Sequence, residues 1–288
     1  MLMEVGKKFA DLIYYNDNMR KGMEDKLFFL DNMDISKGKS YIFVDFGCAD
    51  GILINTLYGI MEDAGINAYY IGYDISETMI DLAKTNFSHN ASNVLFTTDW
   101  DKVAEKVSNF SSMESVLILS SVIHEVYSYS KYPSDTTLFW ERVLNTGFKY
   151  ICVRDMMCSE DANREDKDLF WILKEHIPFA TTKSRLLREF EAIWGSTTNV
   201  KNLMHFLLKY RWVINWEREV EENYFPIYVS EFLEKFNEKY NLNYFNRFRV
   251  PFLDKCWKED FEIEVKDNTH IKAIFEFKKY ESKIKEIE

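Results

Sequence analysis

Three carboxylates stand where three apolar, β-favouring runs end: Asp45 after YIFV, Asp74 after AYYIGY and Asp99 after NVLFTT. Between the first two lies the stretch Tyr41 to Leu57, YIFVDFGCADGILINTL, in which Gly47 and Gly51 bracket a turn and apolar residues at 52, 53, 54 and 57 restart at once. This spacing predicts strand, glycine turn, helix. Glycines at both ends let the backbone swing sharply and let a ligand reach main-chain N–H groups at a helix N-terminus without a Cβ in the way. Such a turn grips part of a nucleotide-like ligand. A dinucleotide fingerprint needs G-x-G-x-x-G, but Ala49 and Ile52 occupy the second and third glycine places, and a phosphate-cradling loop needs a lysine that does not follow. NAD and ATP are both disfavoured.

The run V-D-x-G-C-A-D-G (Val44 to Gly51) resembles the first motif of the class I S-adenosylmethionine (SAM)-dependent methyltransferases. SAM has no pyrophosphate; it carries an α-amino group and a sulfonium, which favour a carboxylate such as Asp45 beside the turn. Asp74 lies 23 positions beyond Gly51, near the ~20-residue separation at which an acid closing the second strand reaches a bound ribose. In the family resembled, the position of Asp99 accepts from the adenine amino group and the next side chain, here Trp100, lies against the ring. The resemblance thus implies SAM as cofactor, held by Asp45, Gly47, Cys48, Ala49, Gly51, Asp74, Ile75, Met79, Asp99, Trp100 and Ser120.

Methyl transfer is an in-line displacement, so the protein must position the acceptor, exclude water and, where needed, remove a proton. The fourth apolar run, SVLILSS (Ser115 to Ser121), leads into Ile123, His124 and Glu125. That segment resembles the I-x-H-D stretch of small-molecule O-methyltransferases, whose histidine deprotonates the acceptor hydroxyl. A neutral histidine suits such work near pH 7. Two readings stand: His124 as catalytic base with Glu125 beside it, or His124 as a support of the fold. Tyr127 follows on the acceptor side, and Arg154 and Asp155 close the fifth strand as a substrate clamp or a structural ion pair. No N-P-P-Y-like motif, no nucleophilic cysteine after the fourth strand, no lysine-rich tetrad and no paired histidines for a metal are present. An O or N acceptor on a small molecule, or on a nucleotide or RNA, remains.

Between Thr181 and Arg218, seven cations, Arg185, Arg188 and Lys201 among them, face three carboxylates, with seven aromatic or histidine side chains interleaved. Basic groups with aromatic platforms suit a phosphorylated or nucleotide-bearing acceptor. The plainer reading is a helical core with a solvated cationic face.

The elements that must carry these groups are legible in outline. Residues 4 to 31 show a rough helical apolar face, and in the family resembled a leading helix often closes over the cofactor, which would make Tyr14, Tyr15 and Met19 lid residues. Five β-then-α repeats without a hairpin signal predict an α/β fold with a doubly wound, mainly parallel sheet. Two strand-like runs close the chain, Asn243 to Phe252 and Thr269 to Lys278, like the terminal strand pair of class I methyltransferases, whose last strand is antiparallel. The expected organisation is therefore a helical segment (1–40), a SAM-binding Rossmann-like core (41–158), a helical insertion between strands 5 and 6 that recognises the acceptor (159–243), and the last two strands of a seven-stranded sheet with a charged tail (244–288). A separate C-terminal domain is the alternative.

With 288 residues, 47% hydrophobic and 16% aromatic, the chain can bury a large core and is not disordered. A net charge of −11 argues against a protein that coats DNA. Four cysteines (Cys48, Cys152, Cys158, Cys256) form no C-x-x-C pair, so no zinc site or disulfide framework is expected. No leader-like segment or long apolar span is evident, and a cytoplasmic, non-membrane protein is expected. The competing function is a catalytically silent methyltransferase-fold subunit that binds a partner or nucleic acid; three strand-end acids argue against it. A nucleotide-dependent oxidoreductase would require NAD to bind despite the missing glycines.

Overall fold

The computed structural model describes residues 22–89 and 91–278. The lid expectation for Tyr14, Tyr15 and Met19 lies outside these residues, as does all of the charged tail beyond Lys278. Within 22–31 the chain is a single helical turn, Met23–Lys26, followed by a 3-10 turn, Phe28–Asp31, where one continuous helix was expected.

Five parallel strands form the sheet's main body: β1 (Ser40–Phe46), β2 (Asn67–Tyr73), β3 (Val94–Thr97), β4 (Glu114–Ser120) and β5 (Tyr150–Met156). Their apolar residues fall on both faces because helices cover both. Ile42, Val44 and Phe46 enter one core cluster, Tyr41 and Phe43 the other. The connecting helices are α1 (Ile52–Ala64), α2 (Glu77–Asn86), α3 (Trp100–Asn109), α4 (Ile123–Tyr129) and α5 (Pro133–Asn145).

The chain then runs through α6 (Lys167–Glu175), α7 (Thr182–Trp194), α8 (Val200–Lys209) and α9 (Val229–Glu234) before β6 (Tyr240–Phe248), α10 (Pro251–Phe261) and β7 (His270–Phe277). The sheet order is β3-β2-β1-β4-β5-β7-β6, with β7 antiparallel to both β5 and β6. The strand expected over Asn243–Phe252 starts three residues earlier and stops before Pro251. That proline opens α10, where its fixed φ and missing N–H suit the first helical position.

The helical segment has its own apolar cluster, built on Leu173, Phe190, Phe206 and Trp216, into which α10 inserts Trp257 and Phe261. No helix among the described residues is long and apolar enough to cross a membrane.

Candidate functional site

The turn after β1 is strained in the way its glycines permit: Gly47 has φ +77°, Ala49 +45° and Gly51 +76°. The Gly47 and Cys48 amides both donate to the Tyr73 carbonyl, at 2.8 and 2.9 Å, which ties the turn to the end of β2. A Cβ on Gly47 would stand 2.8 Å from Val122, and one on Gly51 would stand 2.9 Å from Ala83. Both positions therefore serve close packing as well as backbone conformation. The Cys48 side chain is buried in the core rather than turned outward.

Asp74 joins two turns. Its Oδ2 accepts the Ala49 amide at 3.0 Å and its Oδ1 the Ser76 amide at 2.9 Å. Desolvation raises its carboxyl above the ordinary range, opposed by those amides. At this edge, where the strand order reverses between β1 and β4, lies a cavity of about 370 Å³, within the usual range for small-ligand pockets. Phe46 and Gly47 line it from the end of β1, and Tyr73, Asp74 and Ile75 from the end of β2. Ile75 is 67% exposed, an apolar face beside a carboxylate. From α4 come Glu125 and Tyr129, and from α5 Leu138, Phe139 and Arg142. The Arg142 guanidinium donates to the Tyr73 hydroxyl at 3.1 Å and covers the Tyr73 and Trp100 rings.

The other expected cofactor contacts are dispersed. Asp45 is buried behind the turn, on the sheet face away from the cavity, and burial pushes its carboxyl up to about 7 against the pull of Lys26. Asp99 caps its own helix, accepting the Asp101 amide at 3.0 Å, and its side chain is 45% exposed. Trp100 does not offer a face to a purine: its ring is packed against Phe46, Tyr73 and Phe148. Met79 lies in the first turn of α2, its amide on the Ser76 hydroxyl at 3.4 Å. Ser120 keeps a hydroxyl that is sealed from solvent and has no hydrogen-bond partner among the described residues.

His124 and Glu125 part company. His124 is buried, its Nδ1 2.7 Å from Asp155 Oδ1 and its ring edge-on to Tyr224, and it is not among the cavity's walls. Burial alone would lower this imidazole, but the Asp155 carboxylate outweighs it and leaves His124 raised. Glu125, one residue on, lines the cavity and pairs with Arg218 at 3.1 Å. Tyr127 is half-buried against the core, its hydroxyl accepting from Trp140.

Arg154 and Asp155 are not partners of each other, because successive strand residues point to opposite faces. Arg154 bonds Asp25 at 2.8 Å and the Ser121 hydroxyl at 2.9 Å. Asp155 accepts the Val122 and Ile123 amides on the other face.

The insertion's cations are mostly spoken for. Arg185 pairs with Glu189 on an exposed helix face, Arg188 is exposed on the same helix, and the Lys201 ammonium lies 4.7 Å from the Tyr228 ring centre; none of the three lines the cavity. Phe190, His205, Phe206, Tyr210 and Trp216 are buried, so they form a core and not a platform. Instead the insertion reaches the site through Arg218, whose Nε donates to Glu222 at 2.7 Å and to the Tyr129 hydroxyl at 2.9 Å. Tyr129 in turn donates to Glu222. Glu222 is four residues beyond Arg218, a spacing that the sequence displays but that gains meaning only once α4 lies beside it.

A parallel β3-β2-β1-β4-β5 body continued by an antiparallel β7 and then β6, with the glycine turn after β1 and an acid after β2, is the fold of the class I SAM-dependent methyltransferases. No protein-family model and no curated protein matches the sequence. Among solved structures, the chain is similar to a SAM-dependent methyltransferase from Anabaena variabilis, with 11% identity over 88% of this chain and 85% of that one, at a TM-score of 0.46. It is also similar to a SAM-dependent methyltransferase from Mesorhizobium loti, with 12% identity over 88% and 97%, at a TM-score of 0.47.

Proposed function

We propose that this chain is a SAM-dependent methyltransferase that modifies an O or N atom of a small-molecule, nucleotide or RNA acceptor. The observation that carries the reading is Asp74: a carboxylate on the cavity wall, fixed by amides from the turns after β1 and β2. Asp74 is placed to accept from ribose hydroxyls, and Ile75 to lie along a purine. Asp45, further back, suits an α-ammonium group. The cavity's volume accommodates a nucleoside.

SAM, when bound, supplies an electrophilic methyl group on its sulfonium. The chain's own residues then orient the acceptor, exclude water and take up a proton. Phe46, Val122, Leu138 and Phe139 give the cavity apolar walls that keep water out. Glu125 lines that space and His124 does not, which makes Glu125 the better of the two candidate bases. His124 and Asp155 act one step back, holding the start of α4 so that Glu125 lines the cavity. The helical insertion (159–243) contributes to acceptor recognition through Arg218 and Tyr129's partner Glu222, rather than through Arg185, Arg188 and Lys201.

Calorimetry with SAM and S-adenosylhomocysteine tests the reading directly. Binding of both supports it; binding of neither favours the silent subunit. Mass spectrometry of cell metabolites and RNA incubated with protein and SAM, set against a Glu125→Gln control, then identifies the acceptor by its added methyl group.

A further inference from the structure

We infer that Arg142 selects the methyl acceptor by an acid group, so that the substrate is a small molecule with an apolar body and a carboxylate or phosphate at one end, an inference that rests on the SAM reading of the cavity and narrows its acceptor.

Four arginines among the described residues are half-buried: Arg142, Arg154, Arg218 and Arg249. Three of them hold a carboxylate: Arg154 pairs with Asp25 at 2.8 Å, Arg218 with Glu222 at 2.7 Å and Arg249 with Asp254 at 3.0 Å. Arg142, which lines the cavity, has no carboxylate at ion-pair distance among the described residues. Its guanidinium donates to the Tyr73 hydroxyl at 3.1 Å and covers the Tyr73 and Trp100 rings. These contacts fix the side chain and leave most of its five N–H donors for another partner. A guanidinium held in this way favours an oxyanion that accepts two N–H groups at once.

The carboxylates of the cavity are already engaged. Asp74 accepts the Ala49 and Ser76 amides, Asp135 accepts the Lys131 and Tyr132 amides at the start of α5, and Glu125 pairs with Arg218. The cofactor does not supply the anion either. Adenosine carries none, and SAM's one carboxylate belongs to the amino-acid end, which the reading above directs to Asp45 on the other face of the sheet. The acid group therefore comes with the acceptor.

The apolar body follows from the wall that leads to Arg142. Asp135, Leu138, Phe139 and Arg142 recur at helical spacing along one stripe of α5, about 10 Å from first to last. Leu138 is 46% exposed, Ile75 67% and Tyr129 43%, three large side chains left open around one cavity. An apolar body removes that surface from water, which a bare anion does not. With the acid group on Arg142, the acceptor's O or N lone pair takes the methyl group, its proton passes to Glu125, and the sulfonium leaves as the neutral thioether of S-adenosylhomocysteine.

The test measures labelled methyl transfer from SAM into a filtered metabolite extract that anion exchange has divided beforehand into retained and unretained fractions, with cell RNA as a third sample. The wild type should label the retained fraction. Arg142→Gln should raise the amount of that fraction needed for half-maximal labelling by about tenfold or more, the loss expected of a charge-assisted pair, and Arg142→Lys should fall between the two. Pretreatment with alkaline phosphatase separates the two sources of the acid group: labelling abolished marks a phosphomonoester, labelling kept marks a carboxylate. Label confined to the unretained fraction or to RNA overturns the inference and leaves the SAM reading intact, as does wild-type labelling by Arg142→Gln. Calorimetry with S-adenosylhomocysteine decides a blank result: binding without label in any sample overturns the inference alone, and no binding overturns the SAM reading with it. If Arg142→Gln does not fold, Arg142→Lys decides: weakened labelling of the retained fraction supports the inference, unchanged labelling overturns it.

Discussion

His124 Nδ1 stands 2.7 Å from Asp155 Oδ1 in a pair sealed from solvent, and the other Asp155 oxygen accepts the Val122 and Ile123 amides at 3.0 and 2.7 Å. One carboxylate on β5 thus fixes both the histidine and the first turn of α4. Asp155→Asn replaces an acceptor with a group whose N–H₂ opposes those amides or the imidazole. Removing one member of a buried pair typically costs about 3–5 kcal/mol. Urea unfolding should show the midpoint falling with the slope unchanged, the signature of lost stability in an otherwise intact fold.

Lys209 gives a pH dependence with a definite sign. Its side chain is fully buried, its ammonium donates to the carbonyls of Glu219 and Glu222, and burial drags it from 10.5 down to about 7. Between about pH 7 and 10.5 the unfolded chain carries a proton there that the folded chain has shed, so stability rises with pH across that interval. The rise is at most about 1.4 kcal/mol per pH unit. Lys209→Met removes it, while the opposing fall contributed by the raised His124 is common to both proteins. The stability difference between wild type and variant, measured by denaturant unfolding at pH 7 and pH 9, should therefore widen at the higher pH in favour of the wild type.

The insertion should act on the site through one residue. Arg218→Ala leaves Glu222, which is 2% exposed, without the guanidinium that faces it, and frees Glu125 and Tyr129 at the cavity. A loss of about 3 kcal/mol or more is expected from the stranded carboxylate, together with loss of methyl transfer into a cell extract. Arg185→Ala removes an exposed pair one turn apart, worth less than about 0.5 kcal/mol. Labelled-methyl incorporation should be near wild type in Arg185→Ala, Arg188→Ala and Lys201→Ala; a defect there as large as that of Arg218→Ala would return the acceptor surface to the outer helices.

Gly47→Ala probes the turn. The new Cβ would be 2.8 Å from Val122, a cavity wall, at a φ of +77° that alanine adopts only with strain of about 1 kcal/mol or more. SAM affinity measured by calorimetry should fall at least about tenfold, more than the loss of thermal stability would suggest. Wild-type affinity in that variant would place the cofactor elsewhere.

The parts of this protein that were legible in sequence are those in which a local pattern and a global constraint coincide. A strand buried on both faces must be apolar throughout, so β1 to β5 are legible from their apolar runs. The failures have equally local causes. Trp100, Val103 and Val107 share one face of α3 at helical spacing, which turns the tryptophan into the core; reading it as a ligand platform set the motif above that periodicity. Arg154 and Asp155, adjacent in sequence and open to reading as a substrate clamp or an ion pair, are sent to opposite sides by the pleat of β5. Pro251 lies inside the apolar run 243–252, yet its fixed φ and missing N–H suit the helix start that it occupies. Arg142 and Arg218 left no such trace, because each gains its position from elements far away in the chain.

The place of β7 between β5 and β6 has a consequence for biosynthesis. The residues from 157 to 269 separate β5 from the strand that will cover its edge. At the ~5–20 residues per second of translation, the ribosome needs about 6–23 s to supply it. Throughout that interval the growing polypeptide presents an unpaired β5 margin, the kind of template that invites association with other nascent chains. β7, the last strand among the described residues, is therefore also the one that ends this exposure.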